Sequence, residues 1–281
     1  MNNPLVSVIC LCYNHELYVE KAIRSIQNQS YPHIQLIVVD DNSTDKSKAV
    51  ISKALSGSLK AQFISLQQNM GNCKAFNTGL AAATGDFIID HSGDDVLMLD
   101  RIEKGIKAFS EGGEKVGVNF TDAQLIDEAG KVLGYHSEKF PHDTIPQGNI
   151  YSDVLSRYFI NSPSMMIRRE VFEKLDGYDE SLAYEDFDFW VRSSRYFDYS
   201  YTPEPLVKKR IHYFSMGKRQ YKRGSRQLQS TLKVCEKALA LNTNENENEA
   251  LRKRIHFELR QALKLGELVL AMNYWKLLRR V

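Results

Sequence analysis

Six carboxylates in adjacent pairs are the part of this chain best suited to chemistry: Asp40-Asp41, Asp94-Asp95 and Glu185-Asp186. Neighbouring carboxylates repel, and that cost is tolerable when a cation or hydrogen-bond donors lie between them. Oxygen-only ligation of this kind suits Mg²⁺ or Mn²⁺ bridging to phosphate oxygens. A plainer reading makes each pair a cap for the helix that follows. Three such pairs in one chain, two of them directly after apolar runs, favour a site. The cysteines offer no competing chemistry. Cys10, Cys12, Cys73 and Cys235 form no zinc-like pair and no disulfide framework, and Cys10 and Cys12 read as small core residues of one strand.

The elements that must position these carboxylates alternate along the chain. Short β-branched runs predict strands over residues 5–11, 34–39, 62–66 and 87–90. Between them lie helical patterns. Asn14 is placed to cap a helix with Val19, Ala22, Ile23 and Ile26 at i, i+3, i+4 and i+7. Asn42, Ser43 and Asp45 open a second helix, a third over 72–83 stops at Gly85, and a fourth covers 100–109. This rhythm argues for an α/β fold with a mostly parallel, Rossmann-like sheet that takes ligands outside the carboxyl ends of its strands. Asp40-Asp41 and Asp94-Asp95 then meet on one edge.

Past Gly117 the pattern changes. Runs at 119–126 and 131–134 flank Glu128-Ala129-Gly130 as a hairpin. A strand at 164–167 and helices at 169–175 and 185–197 follow. Helices near 225–241 and 249–279 close the chain, joined by a polar connector at 242–249 (NTNENENE).

With 43% apolar and 26% charged residues, the composition is that of a globular protein and excludes collagen-like and wholly disordered classes. The net charge of +2 hides an asymmetry: from Lys208 onward there are 18 basic and 6 acidic residues, against 19 and 29 before it. An acidic body with a basic tail is expected; the tail reads either as a solvated helical face packed on the body or as a face for an anionic membrane surface, with Tyr213, Phe214, Tyr221, Tyr274 and Trp275 interleaved among its cations. No nucleic-acid module is visible. No 18-residue apolar run and no secretory leader appear, so the expected location is the cytoplasm, peripheral on the inner face of the cell membrane.

Five ordered segments carry a resemblance: VSVICLCYN (6–14), IVVDDNSTD (37–45), NMGNCKAFNTG (69–79), ATGDFIIDHSGDD (83–95) and GYDESLAYEDFDFWVR (177–192). Together they resemble the inverting GT-A glycosyltransferases of family 2, which use nucleotide-sugar donors. The resemblance implies a catalytic domain over 1–215, with a nucleotide-binding half (1–117) and an acceptor half (118–215), followed by a basic helical extension over 216–281. It implies that Tyr13 packs on uracil, that Asp41 bonds the base with Asp40 and Asn69 supporting the nucleotide pocket, and that Asp94 lies near the ribose. Asp95 and His212 are implied as metal ligands for Mg²⁺ or Mn²⁺, and Asp186 as catalytic base.

Departures from the family pattern are equally specific. Leu11 and Cys12 stand where many relatives have Pro and Thr, Phe76 replaces a common arginine, and Ser92 replaces a frequent first aspartate. The Q-x-x-R-W signature of processive synthases is absent, which implies single-sugar addition. The implied reaction moves one sugar, UDP-linked, onto a glycan or lipid-linked acceptor in surface polysaccharide or glycolipid assembly, in a chain that could also self-associate. The competing reading is a catalytically silent nucleotide-binding adaptor with a basic tail. A nucleotidyltransferase would want a Gly-rich phosphate loop where Leu11-Cys12-Tyr13-Asn14 stands.

Overall fold

The structure, a computed structural model, describes residues 3–57, 61–140, 145–212 and 221–281. Tyr213, Phe214, Lys218, Arg219 and the domain boundary expected at 215 lie outside the described residues. The chain divides into two compact units. The first comprises 1–148, 160–178 and 197–211; the second comprises 149–159, 179–196 and 212–281.

The first unit is built on one sheet. Strands β1 (Val6–Cys12), β2 (Ile34–Asp40), β3 (Ala61–Ser65) and β4 (Phe87–Ser92) appear where the apolar runs predict them. Their helices are α1 (Val19–Gln27), α2 (Ser47–Ala54), α3 (Asn72–Ala82) and α4 (Arg101–Gly112). All seven residues of β1 are buried, as a strand covered on both faces requires. The two-residue strand β5 (Val96–Leu97) follows β4, and β6 (Val116–Ile126) and β7 (Val132–Tyr135) form the expected hairpin around Gly130. Strand β8 (Met166–Arg168) and a long β9 (Asp198–Arg210) complete the order β3-β2-β1-β4-β8-β6-β9-β5, with β7 on β6. Strands β3, β2, β1 and β4 are parallel, β6 pairs parallel with β9, and β8 runs antiparallel between β4 and β6.

Sequence reading misses β9 because Pro203 and Pro205 interrupt it. Its register against β6 shifts where they fall, between the Thr121–Thr202 and Ala123–Val207 pairs, so the sheet absorbs them as an irregularity. Asn14 is also not a helix cap. Helix α1 begins at Val19, and Asn14 adopts a positive φ of 59° and spends its side chain elsewhere.

The second unit is helical: α5 (Tyr151–Ser156), α7 (Asp186–Ser194), α8 (Arg226–Leu241), α9 (Glu245–Lys264) and α10 (Leu268–Leu278), while α6 (Arg169–Leu175) belongs to the first. The single helix expected over 249–279 is two, broken at Gly266. There the backbone takes φ 70° and the Glu267 amide closes back on the Ala262 carbonyl. The polar connector shrinks to a cap: Asn244 accepts from the Glu247 amide, and helix begins at Glu245. Helices α8 to α10 are not a surface addition. They share one core with α5 and α7, in which Tyr151, Leu155, Phe187 and Val191 meet Leu228, Leu251, Ile255 and Tyr274.

Candidate active site

The carboxyl ends of β1, β2 and β4 lie side by side: Cys12 is in register with Asp40, and Leu11 with Ser92. Two loops leaving this edge are stitched together. The Asn14 amide donates to Ser43 Oγ, the Thr44 amide donates to Asn14 Oδ1 at 2.8 Å, and the Glu16 amide donates to Asp45 Oδ2. Tyr13 is thereby fixed by its neighbours while its ring stands 45% exposed at the edge.

Asp40 and Asp41 differ in role. Asp40 is fully buried, accepts from the Ser43 amide at 3.0 Å and has Lys48 at 3.7 Å, so it holds the turn. Asp41 accepts from the Met70 amide at 2.6 Å and the Gly71 amide at 2.9 Å, one on each oxygen. Burial raises the Asp41 carboxyl, the two amides pull it back, and Asp40 adds a further upward push. Asn69 is exposed in the loop that Asp41 anchors.

Asp94 and Asp95 form the third corner. The turn after β4 closes through the Gly93 amide on Leu11 O, and a Cβ at Gly93 would sit 2.8 Å from that oxygen, so only glycine fits. Ser92 Oγ donates to Asp94, so the serine that replaces a frequent aspartate orients its neighbour. Asp95 is 3% exposed and accepts from the Arg210 amide at 2.7 Å. Arg210 also donates from Nε to Asp94 O and from Nη1 to Asp127 O and Glu128 O, with its guanidinium 4.4 Å from the Tyr18 ring centre. Burial drives the Asp95 carboxyl well above its usual range and Asp94 adds to it; the Arg210 amide, Lys209 and the Arg210 charge oppose both. Lys209 is held by Asn161 at 3.1 Å.

Sequence reading does not find Lys209, Arg210 or Asn161, which reach the carboxylate edge from distant segments. The only available signal was the basic run 208–210 beside the family's histidine. Phe76, where an arginine was missed, is fully buried and stacks on Tyr178 (4.3 Å) and Phe172 (5.1 Å), as part of the core.

The remaining expected residues, Asp186 and His212, belong to the second unit. Asp186 is the first residue of α7, where helix amides favour an anion, and its Oδ1 is shielded from solvent with no hydrogen-bond partner. His212 is half-buried just past β9. The helix around Asp186 is firmly held: Asp188 pairs with Arg192 at 2.7 Å and Lys237 at 2.6 Å, and Lys237 also reaches Asp179. None of the three acidic pairs caps the next helix through a side chain, so the plainer reading fails on geometry. Among the described residues no group of three His, Cys, Asp or Glu could hold a metal ion by itself.

A mostly parallel sheet whose strand ends carry a half-exposed tyrosine and buried aspartates is a fold of the GT-A kind. Residues 7–176 match the Glycosyl transferase family 2 profile, and the chain belongs to that family. It is 30% identical over 228 residues to an uncharacterized glycosyltransferase of Methanocaldococcus jannaschii, covering 78% of this chain and 77% of that protein. It is 32% identical over 167 residues to the putative teichuronic acid biosynthesis glycosyltransferase TuaG of Bacillus subtilis, covering 59% and 63%. Among solved structures, S. aureus TarS 1-349 in complex with UDP-GlcNAc matches at TM-score 0.72 and 17% identity, over 96% of this chain and 79% of that one. The mannosyltransferase PcManGT of Pyrobaculum calidifontis, with GDP-Man and Mn²⁺, matches at TM-score 0.67 and 16% identity, over 100% and 84%. At those identities the two structures establish the fold.

Proposed function

We propose that this glycosyltransferase moves one sugar from a UDP-sugar to an acceptor hydroxyl with inversion, in the cytoplasm, during assembly of a surface polysaccharide or glycolipid. The observation that carries the reading is Asp95: a buried carboxylate fixed by one amide and raised in pKa, on the strand-end edge that also presents Tyr13 and Asp41. The teichuronic-acid relative and the UDP-GlcNAc complex of the TarS fold support the pathway and the donor.

In this reading Tyr13 packs on the base and Asp41 bonds it, with Asp40 and Asn69 supporting that pocket and Asp94 beside the ribose. Asp95 and His212 would hold Mg²⁺ or Mn²⁺, oxygen and imidazole donors that suit such an ion, and among the described residues no group of three such side chains could hold one alone. That cation, when bound, neutralises charge on the leaving diphosphate. Asp186 accepts the proton of the acceptor hydroxyl as its oxygen bonds the anomeric carbon and the sugar–diphosphate bond breaks. The nucleoside diphosphate leaves, and a single displacement inverts the centre. An unpaired, shielded Oδ1 at a helix start suits a base.

Calorimetric titration of UDP, with Mn²⁺ and then with chelator, tests the donor and metal parts. Binding that needs the cation and is lost in Asp95→Ala is expected. Equal UDP affinity with and without chelator, or retention in Asp95→Ala, overturns the metal bridge, and preference for GDP overturns the uridine assignment. The anomeric configuration of the product, read by NMR, decides inversion.

A further inference from the structure

Helix α10 is apolar on two faces, and folding accounts for only one. Leu270, Ala271, Tyr274 and Leu277 are buried in the core of the second unit. The opposite stripe stands in water: Leu268 is 69% exposed, Val269 70%, Met272 48% and Trp275 48%. Leu268, Met272, Trp275 and Arg279 recur at i, i+4, i+7 and i+11, so they form one line along the helix. Leu263, 54% exposed, stands just across the Gly266 turn. A surface helix of a globular protein needs one apolar stripe, and a second marks an interaction face.

Charge says what the face meets. From Leu268 to Val281 there is no acidic residue, whereas Lys276, Arg279 and Arg280 lie there, and Lys264 flanks Leu263. All four are exposed, and none makes an ion pair with a described residue. The Arg279 guanidinium lies 5.0 Å from the Trp275 ring centre. The basic cluster at 252–254 is already engaged: Arg252 pairs with Glu245, Lys253 with Glu249, and Arg254 is buried against Glu258. Of the expected tail cations, Arg254 is therefore unable to reach lipid.

We propose that the exposed face of α10 docks on an anionic lipid bilayer, with Leu268, Val269, Met272 and Trp275 at the headgroup–acyl boundary and Lys264, Lys276, Arg279 and Arg280 on lipid phosphates. An apolar stripe flanked by cations, with a tryptophan at its centre, matches an interfacial helix. A second copy of the chain fits worse. A two-fold contact through this stripe would gather two sets of Lys264, Lys276, Arg279 and Arg280 in one interface with no acidic residue of α10 to offset them. The inference stands apart from the proposed reaction, because the donor site plays no part in it.

Flotation of the full chain with vesicles of equimolar phosphatidylglycerol and phosphatidylcholine, against phosphatidylcholine alone, tests it. Binding to the anionic vesicles stronger by about tenfold or more is expected, weakening as salt rises. Trp190 is only 4% exposed, so a blue shift of tryptophan emission on binding reports Trp275 and should vanish in Trp275→Phe. The double variant Leu268→Glu, Val269→Glu should melt and bind UDP as the wild type does yet lose the vesicles. Lys276→Glu with Arg280→Glu should weaken flotation without touching the apolar stripe. No preference for anionic vesicles, or flotation unchanged in both double variants, overturns the proposal. So does a concentration-dependent dimer, in sedimentation without lipid, that Leu268→Glu with Val269→Glu abolishes.

Discussion

Asp95 sits where a carboxylate is least comfortable, and that discomfort is what makes it responsive. Burial and the neighbouring Asp94 favour its protonated form, while the Arg210 amide, Lys209 and Arg210 favour the anion. With its pKa raised, Asp95 offers a cation and a proton the same site, so metal affinity should rise with pH. Titrating Mn²⁺ with UDP in two buffers of different ionisation enthalpy should show proton release, and Asp95→Asn should abolish both the release and the binding. At Asp186 the expectation separates chemistry from binding. Asp186→Asn keeps the shape and removes the base, so transfer should fall by at least about a hundredfold while UDP affinity stays within about twofold. Normal transfer by that variant would refute the assignment. The strand-end aspartates are legible in the sequence because they sit next to the apolar runs that deliver them. Arg210 is not, because its amide reaches Asp95 across 115 residues through a strand disguised by two prolines.

Among the elements, α7 carries the proposed base, and Lys237 on α8 clamps it by bridging Asp188 to Asp179. Asp188 is 1% exposed and keeps Arg192 when Lys237 is lost, so Lys237→Met should destabilise by about 1.5–3 kcal/mol, the cost of removing one of its two charged hydrogen-bond partners. Burial raises the Asp179 carboxyl, but Lys237 and Ser181 outweigh it and bring it down to about 2. A depressed carboxyl stabilises fully above its unfolded value near 3.8 and loses that contribution as pH falls through 2. Its share is about 1–2 kcal/mol after allowance for partial exposure, so the gap in urea midpoints between wild type and Lys237→Met should narrow by that share down this window. The alternating elements up to Gly112 are legible because each strand and helix announces itself by period. The split at Gly266 has its own signal in the sequence, a glycine just past Lys264, in the position where helices end in a left-handed residue. In Gly266→Ala the added Cβ meets nothing within 4 Å, so the expected loss of about 1 kcal/mol is purely conformational and should appear as a small fall in Tm.

At the scale of the whole molecule, the contrast between an acidic amino-terminal part and a basic tail suggests that the last helices are separable, and the packing of the second unit says otherwise. Its core is discontinuous in sequence: Tyr151 and Leu155 from α5 and Phe187 and Val191 from α7 close only when Leu251, Ile255, Tyr274 and Leu277 arrive from the end of the chain. Composition reports the charge of those helices but not that their apolar faces complete a core begun some hundred residues earlier. Polar links run the same way. Glu247 pairs with Arg195 at 2.6 Å, the Tyr151 hydroxyl meets Asn242 at 2.8 Å, and Arg254 donates to Leu155 O while lying 3.9 Å from the Tyr158 ring centre. Ending the chain after Leu241 strips these contacts. Each large apolar side chain returned to water costs about 1.5–3 kcal/mol, so losing the α9 and α10 side of this core exceeds the 5–15 kcal/mol that hold a typical domain. The truncated chain should therefore aggregate, or bind a hydrophobic dye strongly and lose transfer, because α7 and its Asp186 go with the core. Tyr274→Ala gives the graded version: the side chain is fully buried, with its hydroxyl 3.3 Å from Leu228 O, so a loss of about 3–5 kcal/mol is expected in urea unfolding. A soluble, cooperatively folded chain ending at Leu241 that still transfers sugar would show instead that α5 and α7 fold without the helices they pack on.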